Sequence, residues 1–178
     1  MRFAFAFALA CLAAGCRVAQ PSGAGTQPAS TEPQPAGAET QPPADSIVLE
    51  RTRCYGTCPA YRLSLARSGA IRFRSLNPGD SARVAADMLP PGAFTRLEKQ
   101  AAELGFDALP DRIAQSRLCG GFATDHPSAI VTLFRGARAK RVDDYLGCRP
   151  GPEALRSFEE AIDSTARSDR WVHEVGFP

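Results

Sequence analysis

The cysteines of this chain are the residues whose type and spacing could do chemistry most directly. Cys16 follows the small residues Ala13, Ala14 and Gly15 at the end of an apolar run. A lipoprotein signal peptidase needs such a slim segment followed by a thiol, which accepts a diacylglycerol group. We therefore predict that Cys16 is lipidated. Arg17 stands where an aspartate would favour the inner membrane, so the sequence favours the outer membrane.

Four further cysteines, Cys54, Cys58, Cys119 and Cys148, remain once the signal segment is removed. An even number of cysteines in a compartment that oxidises thiols favours two disulfide bonds. Three pairings are possible, and the entropy of loop closure does not choose between them. We favour Cys54–Cys58 because these residues are close in any turn. Cys119–Cys148 would then join the loop before one predicted strand to the loop after its hairpin partner.

A metal or redox function is the alternative for the first pair. Cys54, Cys58 and Pro59 resemble the Cys-x-x-x-Cys-Pro motif of Sco-type periplasmic copper chaperones. In that family two thiolates and a distant histidine hold Cu(I), a soft ion that suits sulfur and imidazole ligands. The resemblance implies that His126 would be the third ligand here. Because Pro59 leads into a predicted strand rather than a helix, we keep this as the alternative and otherwise predict no metal and no cofactor.

The usual catalytic signatures do not occur in the sequence. It holds two histidines and no Gly-x-Ser-x-Gly, phosphate-loop or His-Glu-x-x-His motif. Asp125 and His126, beside Cys119 and Gly120-Gly121, form the best candidate loop, and the neighbours Asp143 and Asp144 are a second candidate. A carboxylate that caps a turn and an exposed acidic pair are the simpler interpretations. We therefore expect a binding or structural module rather than an enzyme.

Apolar periodicity predicts the elements that must position these groups. Strands are expected at 47–50, 61–66, 71–74, 129–134 and 138–145, and helices at 90–105 and from Pro152 to Ile162. The second and third strands form a hairpin across Ser68-Gly69, and the last two form one across 135–137. Hairpins separated by single helices indicate the α+β class. The prediction is an antiparallel sheet built from two hairpins, disulfide-bridged, with two helices packed on one face.

Composition divides the 178 residues into three regions. Residues 1–15 are predicted to be a signal peptide, because their apolar run is shorter than the roughly 20 residues that span a bilayer. Residues 16–46, rich in Pro, Ala and Gly, are predicted to be a lipidated, disordered tether. Residues 47–178 are predicted to be the folded domain. The formal net charge of +2 does not indicate a nucleic-acid partner.

One stretch resembles a bacterial domain family. The residues from Cys54 to Tyr61 read Cys-x-Gly-x-Cys-Pro-x-Tyr and resemble the opening of the DUF6438 family. Further matches are Leu104-Gly105-Phe106, Thr124-Asp125, Val142-Asp143-Asp144-Tyr145 and Ile162-Asp163. The resemblance implies a secreted or lipid-anchored domain with no catalytic residues to transfer. It adds Tyr55, Gly56 and Pro59, together with Tyr61 and Thr124, to the candidate functional residues.

These predictions place the protein in the cell envelope, with palmitate and diacylglycerol on Cys16 holding it to the outer membrane, facing the periplasm. The expected partners are the membrane, through the lipid anchor, and an envelope protein or a glycan. No nucleic-acid partner is expected.

Overall fold

A computed structural model describes residues 45–80 and 82–172 of the chain. The predictions for Cys16, the signal peptide and the tether before Asp45 lie outside these residues. The described residues form a six-stranded antiparallel sheet with two helices. No helix in this part of the chain is long and apolar enough to cross a membrane.

The sheet has the strand order β4-β3-β2-β1-β5-β6. The strands are β1 Asp45–Arg51, β2 Tyr61–Ala66, β3 Ala70–Ser75, β4 Val84–Met88, β5 Ser128–Arg135 and β6 Arg138–Tyr145. The first strand lies near the centre and pairs with both β2 and β5, so that Leu49 faces Leu63 on one side and Val131 on the other. Since successive side chains alternate between the two faces, this register puts one apolar row in the core.

Both helices cover the same face of the sheet. They are α1 Ala93–Glu103 and α2 Glu153–Ala166. Gly92 before α1 and Gly105 after Leu104 both adopt the left-handed conformation, which glycine takes without steric cost. Phe158 of α2 is fully buried and meets Phe106 edge to face at 6.0 Å between ring centroids. Burial of one such ring stabilises the fold by about 1.5–3 kcal/mol.

The disulfide-bridged α+β class predicted from the sequence is confirmed, while some elements differ from their predicted bounds. The first strand begins at Asp45, two residues before the predicted start. The β2–β3 turn runs from Ala66 to Gly69, whose N–H donates to the carbonyl of Ala66 at 2.9 Å, so the turn predicted at Ser68-Gly69 was one residue out of place. In the other hairpin, Arg135 pairs with Arg138, leaving a two-residue turn rather than the predicted three.

The strand β4 was not predicted. It contains two large apolar residues, Val84 and Met88, and both are exposed, whereas the residue that packs on the core is the small Ala85. An edge strand with so little core-facing surface leaves almost no alternating signal in the sequence. The neighbouring strand β3 is better packed, because Trp171 contacts Phe73 of β3 at 5.5 Å between ring centroids.

Candidate functional site

Loops from distant parts of the sequence meet at one end of the sheet, which we call the loop edge: residues 52–60, 119–127 and 146–152. The N–H of Thr52 donates to the carbonyl of Ser128 at 2.9 Å, and the N–H of Ser128 donates to the Thr52 hydroxyl at 2.7 Å. The N–H of Tyr55 donates to the carbonyl of Asp125 at 3.2 Å. The candidate residues Tyr55 and Gly56 are thereby brought beside Thr124, Asp125 and His126.

Two disulfide bonds lie in the loop edge. Cys54 is bonded to Cys58, with 5.6 Å between their Cα atoms, and Cys119 to Cys148, with 4.9 Å. This is the pairing that the sequence favoured. Within residues 45–80 and 82–172, no group of three or more His, Cys, Asp or Glu residues is arranged to hold a metal ion.

The candidate residues of the cystine loop differ in exposure. Tyr55 is 90% exposed, and Gly56 at φ 152° is exposed beside it. Pro59 is half-buried at the point where the chain approaches β2. In the neighbouring loop the Thr124 hydroxyl donates to the Asp125 carboxylate at 2.9 Å, and Asp125 adopts a positive φ of 66°. A short polar side chain that stabilises its own turn accounts for that conformation.

Two aromatic rings, Phe122 and Tyr145, form an exposed ledge at this end of the molecule. The rings are stacked, with 4.9 Å between centroids and 24° between planes. The Tyr145 hydroxyl donates to the carbonyl of Ala123 at 2.7 Å and accepts the N–H of His126 at 3.2 Å. Phe122 remains 66% exposed. The ledge therefore presents an aromatic surface to solvent.

The backbone below the ledge is closely packed. Phe122 and Cys148 form an antiparallel bridge directly beside the disulfide bond at Cys119. A Cβ atom at Gly147 would collide with the carbonyl oxygen of Ala123 and with the Tyr145 ring. Glycine is thus required at this position by close approach rather than by its backbone angles. The disulfide bond, the bridge and the glycine together fix the backbone at Phe122, and its ring packs on Tyr145.

One shallow depression lies next to the ledge, and a second lies further along β6. The first has a volume of about 260 Å³ and the second about 370 Å³, and the guanidinium-bearing Arg112 lines both. The first is lined by Arg112, Ala114, Gln115, Phe122, Ser128, Asp143 and Tyr145. The second is lined by Asp111, Arg112, Ala139, Lys140 and Arg141. They follow the edge strand β6, next to the segment that pairs with it at Arg112 and Asp143.

Tyr61, another candidate residue, does not belong to the loop edge surface. Its buried hydroxyl donates to Asp163 at 2.7 Å, and the Ser168 hydroxyl donates to the same oxygen at 2.8 Å. Arg51 donates to the other Asp163 oxygen at 2.9 Å. Burial, followed by the charge of Asp163, raises the pKa of the Tyr61 hydroxyl. This network joins β1 and β2 to α2, so its role is structural.

The two acidic residues Asp143 and Asp144 do not act as a pair, because they lie on opposite faces of β6. Asp144 is fully buried, and one of its oxygens accepts from Arg156 at 3.0 Å. Glu159 of α2 is 1% exposed, and its Oε2 lies 3.4 Å from Arg51. Burial raises the pKa of Glu159 to about 8, opposed by Arg51 and reinforced by the charge of Asp144.

Phe122, Arg112 and Gln115 were not predicted as site residues. A lone phenylalanine after Gly120-Gly121 carries no periodicity, and an arginine and a glutamine in a connecting segment look like ordinary surface residues. The two glycines were the one available signal, since glycine marks close backbone approach. A Cβ atom at Gly120 would meet the Pro150 ring at 2.6 Å.

The sheet, the two disulfide bonds and the loop edge define a small, disulfide-bridged α+β domain with an exposed aromatic surface at the loop edge. Residues 45–166 match the family model described as "Domain of unknown function (DUF6438)", and the chain therefore belongs to the DUF6438 family. The resemblance seen in the Cys54–Tyr61 stretch is confirmed. A comparison with curated proteins gave no match.

Proposed function

We propose that this chain is a lipid-anchored binding module of the bacterial cell envelope, held to the outer membrane through Cys16 and facing the periplasm, and that it is not catalytic. The observation that carries the proposal is the aromatic ledge of Phe122 and Tyr145. A ring that is 66% exposed loses contact with water only when a partner covers it. Its backbone is nevertheless fixed by a disulfide bond and a β-bridge, which reduces the entropy lost on binding.

The position of the loop edge supports the proposal. The chain enters the described domain at Asp45, at the start of β1, and the loop edge begins after Arg51 at its other end. A strand of seven residues is about 20 Å long. The ledge therefore lies at the opposite end of β1 from Asp45, the residue at which the described domain begins.

The contacts of the candidate loop support binding rather than catalysis. The Asp125 carboxylate accepts a hydrogen bond from the hydroxyl of its neighbour Thr124, and His126 donates its backbone N–H to the Tyr145 hydroxyl. A general base needs its side chain within hydrogen-bond reach of a nucleophile. Among the described residues, neither side chain is placed against a serine or a thiol in that way.

Site-specific photocrosslinking in living cells tests this proposal. A photoreactive amino acid at position 122 or at Tyr55 should trap an envelope component, because both side chains point into solvent at the loop edge. The same group at Lys99, an exposed position on α1, is the matched control and should give no adduct. Equal adducts from all three positions, or none from 122 and 55, would count against the loop edge as the binding surface.

Copper or redox chemistry at Cys54, Cys58 and Pro59 is the alternative. It is favoured by the partial exposure of this disulfide, which is flanked by the exposed Tyr55 and Gly56 and is open to a reductant. Titration of the reduced chain with Cu(I) tests it, with the double variant Cys54→Ser/Cys58→Ser as control. Stoichiometric uptake that the double variant loses would support this alternative, and no uptake would remove it.

A further inference from the structure

We propose that the loop edge binds an acidic glycan, with one sugar ring stacked on Phe122 and a carboxylate of the same or the next sugar held by Arg112. This inference rests on the proposed function and specifies its ligand. It follows from three features of the surface: an aromatic face, unpartnered planar polar groups, and positive charge along the neighbouring depression.

The aromatic feature is the free face of Phe122. Tyr145 covers one face of this ring at 4.9 Å, and the ring is 66% exposed, so the opposite face is open to solvent. The electron-rich face of an aromatic ring attracts the polarised C–H groups on the apolar side of a pyranose. Because the Tyr145 hydroxyl is fixed by Ala123 and His126, the platform needs no rearrangement to receive a ring.

The polar feature is a set of free side chains around the first depression. Arg112, Gln115 and Ser128 line it, and none of their side chains has a hydrogen bond or ion pair within residues 45–80 and 82–172. Asp143 lines it too, and its one ion pair, with Arg141, is long at 3.7 Å. Guanidinium, amide and carboxylate groups form paired hydrogen bonds with neighbouring hydroxyls, which suits a sugar.

The charge of the second depression favours an acidic sugar over a neutral one. Arg112, Lys140 and Arg141 line it against a single carboxylate, Asp111. Lys140 is neutralised by Asp111 at 2.6 Å, and Arg141 is shared with Asp143, so Arg112 is the cation without a partner. A bidentate bond from a guanidinium to a carboxylate would satisfy it.

The size of the depressions favours an extended chain of sugars. The first holds about 260 Å³ and the second about 370 Å³, just below and just above the lower limit of the roughly 300–1,000 Å³ of pockets that enclose a small molecule. The second adjoins it at Arg112. Two shallow, adjoining depressions that share a cation fit consecutive units of a polymer lying along β6. The mostly polar lining also argues against a lipid surface or the apolar centre of a protein interface.

Binding measurements on the purified full-length chain in detergent test the inference. The acidic probes are peptidoglycan glycan strands from which the stem peptides have been removed, so that their lactyl carboxylates are free, and an oligouronate. The matched neutral probe is the same oligouronate after its carboxyl groups are reduced to alcohols. We expect at least one acidic probe to bind, and the oligouronate to bind at least tenfold more tightly than its reduced form.

Three variants assign the binding to this surface. Phe122→Ala should weaken binding of the acidic probe at least tenfold, while Phe122→Trp should retain it, which separates stacking from folding. Arg112→Gln should bring the acidic and neutral oligosaccharides to within threefold of each other. Arg72→Gln, which removes an exposed arginine on β3, separated from β6 by three strands of the sheet, is the control and should change nothing.

Failure of the inference can be distinguished from failure of the proposed function. If no acidic probe binds, or if the variants bind as the unaltered chain does, the glycan inference is overturned. If photocrosslinking at position 122 still traps an envelope protein in that case, the binding module stands with a different partner. If both experiments fail, both proposals are overturned.

Discussion

Glu159 shows how a single side chain couples the stability of this domain to pH. It lies almost fully buried on α2, where Arg51 reaches one of its oxygens and its Oε1 has no hydrogen-bond partner among the described residues. The free-energy cost of removing the carboxylate from water exceeds the stabilisation that it gains from Arg51 at 3.4 Å. Burial therefore raises the pKa of Glu159 to about 8. Near neutral pH the buried carboxyl is therefore mostly protonated.

A pH titration of stability tests this at Glu159. Its pKa is raised from 4.5 in the unfolded chain to about 8 in the folded one, so folding takes up a proton between these values. The stabilising contribution is complete below pH 4.5 and is lost as the pH rises through 8. Relative to Glu159→Gln, which cannot ionise, the unaltered chain should lose on the order of 4 kcal/mol between pH 5 and pH 9. Urea denaturation across this range measures it.

Glu160 provides the control for that experiment, because it is the exposed neighbour of Glu159 on the same helix. Glu160→Gln should follow the pH profile of the unaltered chain. Parallel profiles for the unaltered chain and Glu159→Gln would contradict the raised pKa.

Asp163 is the residue on which three donors converge, and its loss should be costly. Asp163→Ala leaves Arg51 partly buried without its closest anion and removes the acceptor of the Tyr61 and Ser168 hydroxyls. We expect the stability to fall by about 2–3 kcal/mol, because removing one partner of a buried ion pair leaves the other charge without compensation. Tyr61→Phe should cost about 1 kcal/mol, the value of one hydrogen bond.

The exposed Asp169 supplies the comparison for Asp163, and Asp169→Ala should change stability by less than about 0.5 kcal/mol. Chemical denaturation of the three variants measures these differences. A cost for Asp163→Ala no larger than that for Asp169→Ala would show that the network does not hold α2 to the sheet.

At the scale of elements, the local apolar periodicity of the sequence was sufficient to predict most strands of the sheet. The apolar alternation in β2, β3, β5 and β6 was readable because one face of each strand is buried and the other is not. The strand β4 could not be read, because its core contact is only Ala85. Turn positions were displaced by one residue, since hydrogen bonds between strands, and not residue types, set where a hairpin closes.

The disulfide bond between Cys119 and Cys148 belongs to this scale, because it fixes one loop against another. Its sequence separation of 29 gives a stabilisation of about 3–4 kcal/mol in the loop-closure treatment. Cys119→Ser/Cys148→Ser should therefore lower stability by that order, and amide hydrogens at 120–123 should exchange faster. Calorimetry and hydrogen exchange measure the two effects.

The pair Cys54→Ser/Cys58→Ser is the comparison, since its ring has a separation of only 4 residues and should contribute about 2 kcal/mol. Unchanged exchange at 120–123 after removal of the longer bridge would mean that the aromatic ledge is held by its backbone contacts alone.

At the scale of the whole molecule, part of the candidate site was predictable and part was not. The sequence singled out Tyr55 and the Thr124–His126 loop, and the structure brings them together through the pairing of β1 with β5. That pairing joins segments about eighty residues apart in the sequence, for example Leu49 and Val131. No local sequence pattern predicts such a pairing. The ledge at Phe122 depends on other non-local contacts, its bridge to Cys148 and its stacking on Tyr145, which is why residue types alone did not indicate it.

The membrane attachment is the prediction that concerns the whole molecule. Cys16→Ser should abolish incorporation of radioactive palmitate and move the protein from the membrane to the soluble fraction, because more than one acyl chain is needed for stable anchoring at about 0.8 kcal/mol per buried CH₂. Cys11→Ser should leave labelling intact, since that residue lies within the predicted signal peptide. Palmitate labelling that persists in Cys16→Ser would remove the lipoprotein prediction.

The central position of β1 has a mechanical consequence. A force applied between Asp45 and a ligand bound at the loop edge would act along the axis of β1. This strand is hydrogen-bonded to β2 on one side and to β5 on the other. Such a force shears the hydrogen bonds on both sides of β1 at the same time, so that they do not break one after another. Under tension the ligand should therefore dissociate before the domain unfolds.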